Sequence, residues 1–333
     1  MMPLTAQILV VICLLWSLVL INISLALWSP LHQSANLHTA IGKDNTCYRS
    51  GLQGQLRSDG LLTILMSPRL QSNTSSERRL KFLMGSWADL DQIDIIVTSQ
   101  DCRVIQLATE FGLPTLYKNA DSDLDAITYR YLLTTIKSLK QVQSKLLAIA
   151  NSDIMFDISL LQTLIGIISH AHEHEQSGKW NHWFGIGRRR NIDLDNNVLS
   201  GGYQTDWMKS IHNSSLFDKT AQDYFIFTRD LPIDWNQIPP FFIGGVLFDN
   251  WFTSYIYNHW DIQMIDMTRT VEAYHVNHGC NRDSHDSLAS EMNRKLGSHH
   301  LMQHGSTDQM PTYTVFNEFN QVTVQSRNIK RWQ

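Results

Sequence analysis

The chain has 333 residues, 43% of them hydrophobic and 17% charged, with a formal net charge of −4. That composition is globular, with length for a large core, and its negative balance argues against a general nucleic-acid binder. Four cysteines exclude a disulfide-built scaffold, because Cys13 lies in an apolar run and the other three (Cys47, Cys102, Cys280) allow at most one internal disulfide.

From Ile8 to Trp28 the sequence is apolar except for Ser17, Asn22 and Ser24. As a helix this run spans roughly 30 Å, the thickness of a bilayer core. It reads as a signal anchor within residues 1–28. A cleaved signal peptide is the rival, disfavoured by the long apolar run and by the lack of Lys or Arg before it. The first charged side chain beyond it is Lys43, so charge asymmetry gives no orientation. The sequons Asn73-Thr-Ser75 and Asn213-Ser-Ser215 favour a lumenal placement for the remainder, in the Golgi or the endoplasmic reticulum. Residues 29–60 are polar and aperiodic, a stem. The main domain is expected over residues 61–285, with a C-terminal extension over 286–333.

Leu61–Met66 reads as the first buried strand, closed by Ser67-Pro68. A helix is expected over Glu77–Leu90, with Leu80, Leu83, Met84 and Trp87 on one face. Ile93–Val97 is a second strand, and Asp101 caps a helix running to Phe111. Asp121–Gln143 reads as one longer helix. Leu146–Ala150 is a buried strand that runs into Asn151-Ser152-Asp153, and Ile158–His174 is helical. This alternation predicts an α/β fold with a mostly parallel sheet flanked by helices. The second half is less regular. It offers strands at His182–Gly187, Asp223–Phe227 and Met264–Asp266, an aromatic helix from about residue 250 to Trp260, an irregular stretch over 196–222, and a weak strand at Thr312–Phe316.

The order of several short motifs resembles that of the nucleotide-diphospho-sugar transferases of GT-A fold. These motifs are Asn151-Ser-Asp153 after a buried strand, Gly244-Gly245 shortly before Asp249, and a late His275. The run Ile238-Pro-Pro-Phe-Phe-Ile-Gly-Gly-Val-Leu-Phe-Asp-Asn-Trp251 is similar to a little-characterised branch of that superfamily. So are Ser86-Trp87, Ile149–Ile154, Gly187-Arg188-Arg189 and His275-Val-Asn-His278. The resemblance covers about residues 60–280. It implies a GT-A-like domain and a hexosyl- or pentosyl-transferase using a nucleotide-diphosphate sugar as co-substrate. The acceptor would be a hydroxyl on a glycan, a glycoprotein or a small molecule.

The residues themselves support such chemistry. A carboxylate at the carboxyl end of a central strand sits where open α/β sheets bind ligands. Asp153 could hold manganese or magnesium, with Asn151 as a weaker oxygen ligand and His275 or His278 completing the coordination. The family's usual first Asp is replaced here by Asn151. The alternative for this motif is an ordinary strand-ending turn. Gly244 and Gly245 let backbone approach a cofactor, or merely form a tight turn. Asp249 is a candidate general base, or else the N-cap of the helix after it. Arg189 is the candidate phosphate ligand of the Arg188–Arg190 run, Asp223 a candidate contact for donor or acceptor. His170-Ala-His-Glu-His174-Glu places His170 and His174 on one helix face but is not His-Glu-x-x-His, and reads as a solvated helix end. Asp121–Asp125 lacks the Gly and Glu of a calcium loop and reads as an acidic helix start. Asn151 also motivates a second reading, a catalytically inactive carbohydrate-binding or complex-forming module. A zinc hydrolase built on the His-rich segments is a third.

Overall fold

The computed structural model describes residues 51–71, 73–119, 126–203, 207–277, 288–297 and 305–328. The apolar run at 8–28, the acidic cluster at 121–125 and His278 fall outside these residues. Among the described residues, no helix is long and apolar enough to cross a membrane. Cys47–Gln333 group as one compact unit.

In chain order the strands are β1 (Leu52–Gln53), β2 (Leu62–Met66), β3 (Ile93–Ser99), β4 (Thr115–Tyr117), β5 (Leu146–Ala150), β6 (Ile154–Phe156), β7 (Trp183–Ile186), β8 (Arg190–Ile192), β9 (Ser215–Leu216), β10 (Tyr224–Thr228), β11 (Gln263–Asp266), β12 (Ala273–Val276), β13 (Thr312–Phe316) and β14 (Val322–Ser326). The helices are α1 (Thr74–Ala88), α2 (Cys102–Glu110), α3 (Tyr129–Ser138), α4 (Ile158–Glu173), α5 (Asn196–Gly201), α6 (Phe248–His259) and α7 (Leu288–Gly297). Ten strands make the main sheet, in the order β1-β4-β3-β2-β5-β10-β7-β11-β13-β14; a small sheet has the order β6-β12-β8-β9.

The sheet is covered on both faces because its central strands are apolar on both. In β5, Leu146, Ala148 and Ala150 join a core with Leu80, Leu83 and Trp87 of α1 and Leu160 and Leu164 of α4. The alternate residues Leu147 and Ile149 join a second core with Leu132, Leu133 and Ile136 of α3 and Phe248, Trp251 and Phe252 of α6. A two-residue period delivers successive side chains to opposite faces, so an unbroken apolar run specifies a doubly covered strand.

The sheet is more mixed than the alternation of elements predicts. The block β4-β3-β2-β5 is parallel, as are β7-β11 and β11-β13. Strand β10 runs antiparallel to both β5 and β7, and β1 and β14 close the edges in antiparallel pairings. Leu52 of the expected stem and Thr312–Ser326 of the expected extension are thus strands of the main sheet. The long helix expected over Asp121–Gln143 is shorter. Thr128 caps it, accepting from Tyr131 N, and beyond Ser138 the chain turns extended at Leu139 (ψ 106) so that Val142 is fully buried. The stretch 196–222, expected to be irregular, holds α5, capped by Asp195, and a 3-10 helix at Trp207–Asn213 with Trp207 buried. Cys102 at the head of α2 is disulfide-bonded.

The small sheet is anchored from α1. The Trp87 indole donates to the Ile154 carbonyl at 2.9 Å from a fully buried position. Replacing Trp87 with Phe keeps much of the apolar volume but orphans that carbonyl. Urea unfolding is expected to show a loss of about 1–3 kcal/mol, the range for a stranded buried polar group; an unchanged midpoint would contradict this role.

Candidate active site

Two strand registers assemble the site. Strand β10 pairs with β5 so that Tyr224 faces Ala150, and one step further the Asn151 amide donates to the Asp223 carbonyl at 2.8 Å. The two side chains then meet: Asn151 Nδ2 donates to Asp223 Oδ1 at 2.7 Å. Asn151 Oδ1 accepts the Tyr129 hydroxyl at 3.0 Å. Arg189, in the turn between β7 and β8, brings Nη1 to within 2.6 Å of the same Asp223 Oδ1. Its guanidinium also lies 4.4 Å from the Phe217 ring centroid and donates through Nε to Asn191 Oδ1.

Asp223 is only 4% exposed, and its second oxygen, Oδ2, is buried with no hydrogen-bond partner among the described residues. Burial pushes its carboxyl up, opposed first by the Arg189 charge; Asp153 adds to the rise, and Asn151 and His275 oppose it. Isolating a carboxylate from water costs several kcal/mol, and the Arg189 guanidinium and the Asn151 amide offset part of that cost.

The second register places Asp153. It lies between β5 and β6, and β12 pairs with β6 so that His275 faces Ile154. The Val276 amide donates to the Asp153 carbonyl at 3.2 Å, and His275 Nε2 lies 3.2 Å from Asp153 Oδ2. Strand β12 also runs parallel to β8, His275 opposite Asn191. The imidazole is therefore fixed by two strand neighbours, with Nδ1 3.3 Å from Asn277 Oδ1. Half-buried Arg79 of α1 feels the Asp153 charge, which partly offsets the downward push of its own burial.

Asp249 lies in the first turn of α6. It is not the helix cap. Leu247 holds that position with φ 82 and no side-chain cap bond. Left-handed backbone is costly for a leucine, about 1–2 kcal/mol, and such strain gathers where a loop must present a group in one pose. Burial, and secondarily the nearby Asp223 charge, push the Asp249 carboxyl up to about 7, while backbone amides of Asn250 and Gln222 pull the other way. Asn250 fastens the turn through its amide to the carbonyls of Thr220 and Gly305. Phe248 stacks on Tyr129, ring centroids 3.6 Å apart, which ties Asp249 to the ring whose hydroxyl holds Asn151.

The structure thus brings Asn151, Asp153, Asp223, Arg189 and His275 together, with Asp249 electrostatically coupled through Asp223. The two glycines differ. Gly244 has φ 81, and a Cβ there would lie 3.9 Å from Arg69 Nη1. Gly245 packs against α7, where a Cβ would come within 2.7 Å of the Ala289 carbonyl. Its missing side chain is thus accounted for by helix packing. Of the three arginines only Arg189 turns to the carboxylates; Arg188 donates to the Phe217 carbonyl, and Arg190 pairs with Glu272 at 2.6 Å. Sequence reasoning passed over Tyr129, Arg69 and Arg79, which no motif marks; only the first-turn position of Tyr129 could have singled it out.

The doubly covered sheet, with the Asn-x-Asp turn at a carboxyl edge beside a small second sheet, fits the α/β arrangement expected from the sequence. No protein-family model and no curated protein matches the sequence. Among solved structures, similarity is found to S. aureus TarS 1–349, at 11% identity and TM-score 0.29 over 40% of this chain. The match spans 37% of that TarS chain. HddC from Yersinia pseudotuberculosis matches at 10% identity and TM-score 0.33, over 70% of this chain and 98% of its own. The 4-diphosphocytidyl-2C-methyl-D-erythritol synthase from Anaerococcus prevotii matches at 7% and 0.32, over 71% and 97%. TarS has also been crystallised with UDP and with UDP-GlcNAc.

Removing Arg189 tests the centre of this arrangement. Arg189→Met would leave the Asp223 carboxylate buried without its cation, a change that costs about 3–5 kcal/mol in comparable sites. Urea unfolding at neutral pH is expected to show that loss, and adding Asp223→Asn should recover part of it.

Proposed function

We propose that this chain is a metal-dependent glycosyltransferase that moves a sugar from a nucleotide-diphosphate donor to an acceptor hydroxyl. The observation that carries the reading is the meeting of Asp153 and His275 at 3.2 Å beside the buried Asn151–Asp223–Arg189 group. Two ligand atoms in neighbouring positions on one divalent ion, each about 2.1 Å from it, lie roughly 3 Å apart. The Asp153–His275 pair fits that spacing; the carboxylate suits manganese or magnesium, and of the two manganese better tolerates the imidazole. Asp153 and His275 would hold the ion. Bound there, it would supply positive charge against the departing diphosphate.

The chain's own residues do the rest. Arg79 beside Asp153 and Arg69 beside Gly244 offer guanidinium donors for phosphate oxygens. Asn151 is spent on Tyr129 and Asp223, so in this reading it braces the site and adds little to the ion. Asp249, whose carboxyl titrates at about 7, accepts the proton of the acceptor hydroxyl as that oxygen attacks the sugar. A base poised near neutral pH combines a useful ionised fraction with a strong pull on the proton. In the same proposal residues 8–28 anchor the chain, and the domain works in the lumen of the Golgi or endoplasmic reticulum.

Calorimetric titration with UDP, GDP and CDP in the presence of manganese tests the donor site; absence of binding at millimolar nucleotide rules the reading out. A donor-hydrolysis screen over common sugar nucleotides then gives a measurable rate. With that rate, kcat/KM is expected to climb about tenfold per pH unit below roughly pH 6 and to level off above about pH 8. The sign follows from Asp249: it carries the proton below about 7 and accepts one only above. Asp249→Asn should remove this limb and lower kcat by a factor of about 100 or more.

The engagement of both ends of the Asn151 amide also favours the second reading, a binding module without turnover. The two separate on Asp153→Asn and Asp249→Asn. Nucleotide binding with no hydrolysis, unaltered by either substitution, would leave only the module.

A further inference from the structure

Helix α4 starts just after β6, capped by Asp157, and ends at Glu173 with His174 as its C-cap. At its far end His170, Glu173 and His174 lie at positions i, i+3 and i+4, the spacing that puts three side chains on one helix face. Their ligand atoms all lie within 4.8 Å of one another. Twelve residues separate Ile158 from His170, roughly 18 Å along the axis at 1.5 Å per residue. This cluster therefore stands apart from Asp153 and His275.

Three features prepare it for a ligand. First, His174 Nδ1 lies 2.8 Å from the His170 carbonyl, so the ring donates there and leaves the Nε2 lone pair for a metal. That backbone contact is the kind of support that fixes tautomer and orientation in histidine metal sites. Second, the His170 ring is held in place. It packs edge-on against Trp180 with centroids 4.5 Å apart, and stacks on His174 at 4.2 Å. Third, the cluster sits on the last turn of a helix, where unpaired carbonyls and the helix dipole favour a cation. The remaining histidine of the segment, His172, points elsewhere and lies 3.4 Å from Glu175.

We propose that His170, Glu173 and His174 form a second metal site, for a borderline transition ion such as zinc or nickel, with water filling the open coordination. Two imidazoles and one carboxylate select such ions over calcium or magnesium, which prefer all-oxygen shells. Zinc–ligand bonds are about 2.0–2.2 Å, so tetrahedral ligand atoms sit closer together than 4.8 Å. Glu173 is exposed and can close that gap by side-chain rotation, with both imidazoles kept where their contacts hold them. Bound metal would cross-link the last turn of α4 and hold it against Trp180. The sequence placed the two histidines on one face; what it could not show is the third ligand joining them and the backbone contact orienting His174.

The test uses the full chain, stripped with a chelator and titrated with zinc chloride alone in the presence of excess magnesium. One zinc per chain should bind at this helix with micromolar affinity and raise the thermal midpoint. His174→Ala should weaken that binding at least about tenfold and abolish the thermal shift. His172→Ala and His275→Ala should leave both intact. Circular dichroism of the unloaded His174→Ala protein, expected to match the parent, shows that folding is unaffected. The proposal is overturned if zinc up to millimolar concentration does not bind. It is equally overturned if binding survives His174→Ala, or is lost on His275→Ala alone.

Discussion

One buried carboxylate ties together the strand register, a guanidinium and an amide at the centre of the site. Asp223 sits at the mouth of β10, and its position follows from the antiparallel pairing of that strand with β5. A charge so enclosed is tolerated only with a cation and donors against it, and the chain spends Arg189 and Asn151 on that task. Those commitments propagate outward. Asn151 fixes Tyr129, Tyr129 stacks on Phe248, and Phe248 opens the helix that carries Asp249. The Asp223 charge in turn adds to the rise in the Asp249 carboxyl. A single buried group thereby links a strand register, a helix start and the proton affinity of a second acid.

A second constraint works beside it. The small sheet is a separate hydrogen-bonded body, anchored by the Trp87 indole on Ile154. Its register decides which residue of β12 faces the start of β6, and hence that a histidine lies beside Asp153. Sliding β12 by one residue would turn His275 to the other face of the strand, since side chains alternate. The placement of His275 is thus a property of strand pairing, and the turn residue Asp153 is tied to it through the Val276 amide. Rigid elements hold such geometry better than loops do.

How much of this the sequence disclosed depends on the range of the interaction. Leu62–Met66, Ile93–Ser99 and Leu146–Ala150 were legible because both faces are buried, leaving continuous apolar runs bounded by turn residues. Asp101 and the helix after it follow from a local cap. The direction of β10 was not legible, because parallel and antiparallel strands share one composition. Nor was β12, where only His275 drew notice. The Asn-x-Asp turn drew attention to Asn151 and Asp153, yet gave no sign that Asn151 serves Tyr129 and Asp223. Gly245 shows the limit of motif reading: its missing side chain answers to Ala289 and Asn293 of α7, partners more than forty residues on.

The hairpin of β13 and β14 has a bearing on how much of this chain can stand alone. Strand β11 is core, with Met264 and Ile265 essentially inaccessible, and β13 lies along its outer side. The β14 strand beyond carries Thr323, Gln325 and Ser326, polar residues suited to a boundary with water, while Val322 seats against Gly166 of α4. A version trimmed after residue 285 would strip this rim and leave an apolar interior strand with unpaired amides facing outward. Bare edges of that kind recruit other strands, so the trimmed protein would tend to self-associate even with every cleft residue still in place.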